Sequence, residues 1–368
     1  MTTAPPGRLS GPGTEPETVI REARKRQHRR WLAIAVAVTV ISAAGVVIWG
    51  SGIGSGSRPP SLHTRPGPGT GPAAAANGAT LVVASQTSLP RGNSLSLAVG
   101  YQAIWVTGIG VTYQVDEATG RIVRTISTPG TFPDGCRSGV AAGAGAVWVT
   151  HGCRGIYRID PHSGRVTASL PVPDVGDSIA VAGGLVWVTN YHGDLLRIQP
   201  RTNKITGKPA FVGFGGWWMT PGAGALWVTD ADGAITRLDP VTGAAAAFGN
   251  YAVFDVSAAG AGSLWSSQVK RVDPATGRVT ASIPVAGAYQ VLFWRGSAWV
   301  LTLRRSLTLI RIDPATNQVT GEPVPAGKAV SAGQGTEPSV MAAGPTGLWV
   351  LDFTRNLLFH LVMRPGRP

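Results

Sequence analysis

An all-β fold is what the sequence predicts: a seven-bladed β-propeller closed by an N-terminal outer strand and preceded by one transmembrane helix. Three features carry this. First, a small-residue turn followed by an apolar pair with Trp occurs seven times: AIWVTG at Trp105, AVWVTH at Trp148, LVWVTN at Trp187, ALWVTD at Trp227, SLWSSQ at Trp265, SAWVLT at Trp299 and GLWVLD at Trp349. Second, successive Trp lie 43, 39, 40, 38, 34 and 50 residues apart, and a period near 40 with room for four short strands is the mark of a propeller blade. Third, the seventh unit runs out before a fourth strand, while an unpaired ATLVVASQTSLP stands ahead of the first unit at residues 79–90.

Taken in order, residues 1–30 read as a polar, Pro- and Gly-rich segment ending in the basic run REARKRQHRR, with the composition of disorder. Residues 31–49, WLAIAVAVTVISAAGVVIW, carry no charge. Nineteen residues at about 1.5 Å each reach roughly 28 Å, the hydrocarbon thickness of a bilayer. Trp at both ends and basic residues ahead predict a retained single-pass anchor in the plasma membrane, with the N-terminus cytoplasmic and the propeller extracellular. A cleaved signal peptide would have a shorter apolar region and a small-residue cleavage site. Residues 50–79 are a Pro/Gly-rich linker.

From residue 80 to 368 the repeat predicts four strands per unit. In unit 2 these are 138–143, 146–151, 155–160 and 165–172, here called A to D from the axis outward. A second phrase marks the C–D turn: VDEATG at Asp116, IDPHSG at Asp160, IQPRTN at Gln199, LDPVTG at Asp239, VDPATG at Asp273 and IDPATN at Asp313. Pro presets φ, Asp bonds its own backbone and Gly takes positive φ, so these Asp are turn formers first. The VVAS of the leading segment matches the VTAS of strand D in units 2 and 5. Residues 80–87 are therefore expected to supply the outer strand of unit 7 and to remove a sheet edge.

The combination of G-x-G-x-(L/V)-W-V-(T) with I-D-P-x-T-G-x-V resembles the YVTN/NHL-type β-propellers, including streptogramin-lyase-like proteins, over about residues 80–363. The resemblance implies the fold. It implies no single activity, because enzymes and extracellular sensor domains share such repeats. Anchor plus propeller is also similar to the sensor half of certain bacterial receptor kinases, but no kinase signature precedes the anchor.

The D–A connections and B–C hairpins vary from unit to unit, and particularity is expected there. Near the start of the A strands stand Arg137, Asp177, Trp217, Trp218, Asp255, Tyr289 and Gln290. On the B–C hairpins stand His151, Arg154, Asn190, Tyr191, His192, Asp194, Asp230, Asp232, Arg304, Arg305, Asp352 and Arg355. Trp217–Trp218 is a stacking platform or a channel plug. Ligand contact is expected from Trp217, Trp218, Asp255, Tyr289, Arg304, Arg305, Arg137 and Asp177. The alternative function, a lyase or hydrolase, would use His151 or His192 with a carboxylate such as Asp194. Asp230 and Asp232 open like a calcium loop but lack its remaining ligands. The hairpin of unit 5 is clipped, which predicts a notch in the rim there. Cys136 and Cys153, the only cysteines, are expected to form a disulfide outside the cell.

The formal charge of +13 divides into +4 in residues 1–30, +2 in residues 50–79 and +7 beyond. No phosphate-binding or nucleotide fingerprint occurs. Placement outside the cell argues against nucleic acid. The expected partners are the membrane, through residues 31–49, and an unidentified protein, glycan or small-molecule ligand, with no cofactor.

Overall fold

A computed structural model describes residues 79–90, 94–129, 138–151, 154–213, 218–230, 232–250, 255–303, 306–327, 340–353 and 355–365. These form seven antiparallel sheets. Blade 1 holds β2 (Ser94–Gly100), β3 (Ala103–Gly108), β4 (Val111–Asp116) and β5 (Ile122–Ser127). Blade 2 holds β6 (Val140–Gly143), β7 (Ala146–His151), β8 (Gly155–Ile159) and β9 (Val166–Pro171), close to the spans read from the sequence. Blade 3 holds β10 (Val175–Ala182), β11 (Leu185–Asn190), β12 (Asp194–Gln199) and a broken outer strand, β13 (Lys204–Ile205) and β14 (Ala210–Phe211). Blade 4 holds β15 (Trp218–Gly222), β16 (Ala225–Thr229), β17 (Ala234–Leu238) and β18 (Ala245–Asn250). Blade 5 holds β19 (Val256–Gly260), β20 (Ser263–Ser266), β21 (Lys270–Val272) and β22 (Val279–Ser282). Blade 6 holds β23 (Ala288–Trp294), β24 (Ser297–Leu303), β25 (Leu307–Asp313) and β26 (Gln318–Pro325).

The last blade is assembled from both ends of the repeat. β27 (Val340–Ala343), β28 (Leu348–Asp352) and β29 (Leu357–Arg364) are completed by β1 (Thr80–Ser88), which pairs antiparallel with β29 from Thr80↔Arg364 to Ser88↔Leu357. The inner strands touch in cyclic order, and β27 touches β2, so the ring is closed.

The core is not one mass but seven packets, one per seam. Each strand-B Trp is at most 4% exposed and fills the seam to the next blade. Trp148 packs on Val186 and Val188 of blade 3, Trp227 on Val256 and Leu264 of blade 5, and Trp349 on Ile104 and Val106 of blade 1. In blades 1 to 5 the indole N–H donates to the carbonyl five residues earlier, as in Trp227 to Gly222 at 2.9 Å. That carbonyl belongs to the A–B hairpin. The A–B hairpins of blades 1 to 6 turn through two consecutive residues of positive φ, such as Ala223 (49°) and Gly224 (72°), the two-residue turn that matches strand twist.

The C–D turns behave as read. The Asp160 carboxylate accepts from the Ser163 N–H at 2.7 Å, the Ser163 hydroxyl at 2.8 Å and the His162 N–H at 3.1 Å, which holds its pKa below the usual range. In blades 1 to 6 strand C opposes the Trp with a long polar residue: Gln114 in blade 1, then Arg158, Arg197, Arg237, Arg271 and Arg311. The Arg158, Arg271 and Arg311 guanidiniums lie 5.1–5.9 Å from their Trp rings. Three of these side chains reach across to the next blade's turn: Gln114 to the Pro161 carbonyl (3.1 Å), Arg197 to Thr242 (3.2 Å) and Arg271 to Pro314 (2.6 Å). The turns and the Trp–Arg pairs thus form one inter-blade lattice on the face that carries the C–D turns.

Candidate functional site

On the opposite face, the structure gathers its exposed aromatics over blades 3 and 4. The β11–β12 hairpin is set by Asn190. Its Oδ1 accepts from the N–H groups of His192 (3.0 Å) and Asp194 (2.8 Å), and its Nδ2 donates to Asp194 Oδ2 (3.2 Å). This presents the His192 ring, whose Nε2 lies 3.0 Å from Asp174 Oδ2; both side chains remain more than a third exposed. The sequence offered Asp194 as a carboxylate for His151 or His192. In the structure Asp194 is engaged by Asn190, and the carboxylate in contact with His192 is Asp174, a residue of the D–A connection in the left-handed region (φ 54°). Such a φ is tolerated by Asp.

From Asp194 a continuous strip crosses to blade 4. Asp194 pairs with Phe211 of β14, and the Val212 N–H donates to the Gly193 carbonyl at 2.8 Å. Gly213 follows at φ 93°, and a Cβ there would stand 2.2 Å from the Asp230 carboxylate, so glycine is required. Asp230 succeeds Thr229, which pairs with Trp218 at the start of β15. Phe211 is 61% exposed and Trp218 40%, the two large aromatics most open to solvent among the described residues. Phe211 was missed in the sequence. Its signal was an aromatic in a stretch where the strand-D pattern fails.

Other predicted residues fall elsewhere. Asp230 Oδ1 accepts from the N–H groups of Asp232 and Ala234, both at 2.8 Å, which makes it a hairpin cap. Among the described residues no cluster of His, Cys, Asp or Glu could hold a metal. Asp255 precedes β19 and receives the Ser267 N–H at 3.3 Å. Burial pushes its carboxyl above the usual range, against the pull of Ser267, and it borders a small apolar pocket with Phe248, Trp265 and Val279. Gln290 is structural: its amide exchanges two bonds with Met341 of blade 7, at 2.7 and 3.1 Å. Tyr289, in the bulge of β23, packs on the seam between blades 6 and 7. His151 stacks on Tyr157 at 4.0 Å, and burial, helped by Arg154, pulls its pKa down. Asp177 lies in β10 beside a bulge. Arg137, Trp217, Arg304, Arg305, Cys136 and Cys153 lie outside the described residues, as do residues 1–78.

Blade 5 is clipped as expected. β20 and β21 have four and three residues, where β24 and β25 have seven each. The short hairpin forces Val269 to φ 59°, a conformation that costs a β-branched residue about 1–3 kcal/mol. Full burial in the seam with blade 6 holds it there.

These features define a seven-bladed β-propeller whose particularity lies in the loops of one face. Solved structures agree in fold. The WD40 domain of Pan2 from Neurospora crassa matches 78% of this chain and 96% of its own, with a TM-score of 0.59 at 11% identity. BamB from Moraxella catarrhalis matches 78% and 99%, with a TM-score of 0.54 at 12% identity. No family model and no curated protein sequence matches the chain.

Proposed function

We propose that this chain is an extracellular binding module of the YVTN/NHL type, held at the plasma membrane by residues 31–49, and that its contact surface is the strip over blades 3 and 4. The observation that carries the binding reading is the exposure of Phe211 and Trp218 beside Asp194, Asp230 and the His192–Asp174 pair. Aromatic anchors of this kind dominate contact energies, at about 2 kcal/mol or more each. A photoreactive residue at position 211 or 218 of the full chain in cells should capture a discrete partner. The same residue at Val241, 67% exposed on the C–D turn face, should not. Capture at 218 should fall roughly tenfold or more in Phe211→Ala, the equivalent of about 1.4 kcal/mol. Equal capture from all three positions, or capture from 241 alone, would overturn the assignment.

The second reading, a hydrolase or lyase, rests on the 3.0 Å His192–Asp174 contact. A base oriented by a carboxylate is half of a nucleophilic site. Among the described residues His192 bonds to Asp174 and to no hydroxyl, which favours binding.

Among the described residues no helix is long and apolar enough to cross a membrane; residues 31–49 lie outside them. The anchor and the disulfide rest on the sequence, and one experiment tests both. In intact cells an impermeant maleimide should label neither cysteine before reduction and both after it. Labelling before reduction would exclude the disulfide, and labelling only after lysis would exclude the outward topology.

A further inference from the structure

The seam that closes the ring departs from the other six. Of the seven positions facing a strand-B Trp, six carry Gln or Arg, which hold one charge state across the physiological range. The seventh, opposite Trp349, is His360. The turn that follows it around the ring is also altered, with Glu117 where four of the other C–D turns carry Pro after Asp. Between them stands Thr346, in a β27–β28 turn that contains Pro345 and so cannot adopt the positive-φ hairpin of the other blades.

These changes meet. The Thr346 N–H and hydroxyl donate to Glu117 Oε1 at 3.2 and 3.0 Å, and His360 Nε2 lies 3.3 Å from the same hydroxyl. Glu117 is 4% exposed and His360 5%, its ring stacked on Trp349 at 4.0 Å and 3°. A Cβ at Gly344 would stand 2.3 Å from Glu117 Oε1, and one at Gly347 2.7 Å from His360 Nε2, so there is no room to relax. The same turn is gripped from blade 6, where the Trp294 indole donates to the Gly344 carbonyl at 2.9 Å and Arg295 to Pro345 at 3.3 Å.

We propose that this cluster is an acid-labile latch: protonation of His360 loosens blade 7 from blade 1 and frees β1 and β29 from the ring. The groups around His360 are Trp349 on β28, Ser85 paired on β1, Thr346 on the turn and Glu117 from blade 1. Asp116, next to Glu117, is committed to the Thr119 N–H and hydroxyl. Glu117 is therefore the charge that answers the imidazole, and it does so across a hydroxyl. Burial lowers the His360 pKa more than Glu117 raises it. A group with a depressed closed-state pKa favours closure above its ordinary value, about 6.5, and withdraws that contribution as pH falls toward the closed-state value.

Hydrogen exchange on the full chain in detergent, corrected for intrinsic rates, reads the latch. Protection of 80–88 and 357–364 should fall several-fold per pH unit below about 6.5, tenfold being the limit for one proton. Protection in β15–β18 should stay constant. His360→Gln should abolish the dependence. So should His360→Arg with Glu117→Pro, which installs the residues found at other seams and covers a failure of the first variant to fold. An unchanged slope in the variants, a flat response in the wild type, or equal loss in every blade would overturn the proposal.

Discussion

A chain beginning at residue 94 is expected to melt roughly 12–24 °C below one beginning at residue 79, and to aggregate on heating. The shorter chain lacks β1, so blade 7 keeps three strands and β29 becomes a bare edge. It also loses Leu81 and Leu89, each 5% exposed, from the packets on either side of blade 7. At about 3 kcal/mol for each buried Leu, the loss is about 6 kcal/mol, and a domain of this size moves about 2–4 °C per kcal/mol. Calorimetry of the two chains side by side checks this. Equal melting temperatures would mean that β1 decorates the ring rather than closing it.

Trp148→Ala and Trp227→Ala should each destabilise by about 3–5 kcal/mol, whereas Trp218→Ala should change stability by less than about 0.5 kcal/mol. The first two indoles are fully buried, fill a seam between two blades and donate to a hairpin carbonyl. Their removal leaves a void that neither rigid sheet can close. Trp218 is a paired but 40% exposed residue at a strand start. Urea unfolding of the three variants separates the roles, and a small effect at Trp148 and Trp227 would show that the seams repack.

The fold was legible because each blade solves the same problem with the same residues. Trp must fill a seam, Asp must close a turn and small residues must make a positive-φ hairpin, so the solution repeats in the sequence at a fixed period. The candidate site was only half legible. Trp218 and His192 stood out as departures from the repeat, but Asp174 became the partner of His192 only through an irregular D–A connection. Phe211 depended on the breakage of one outer strand. The closing seam was visible in principle: VDEATG differs from VDPATG by one residue, and FHLV replaces the usual Arg by His. What the sequence could not convey is that these two departures, 243 positions apart, face each other across Thr346.

The β1–β29 pairing also sets how the molecule bears load. Thr80 lies at the C–D-turn end of blade 7, opposite Arg364, and β1 runs from there to Ser88 in eight registered pairs. A pull through the N-terminal segment toward that face acts along the strand and shears all eight pairs together. A sideways pull opens them one at a time from Thr80. The ring is therefore strong against tension in one direction and weak in the other, and the outermost strand is the first to yield to a force applied at Thr80.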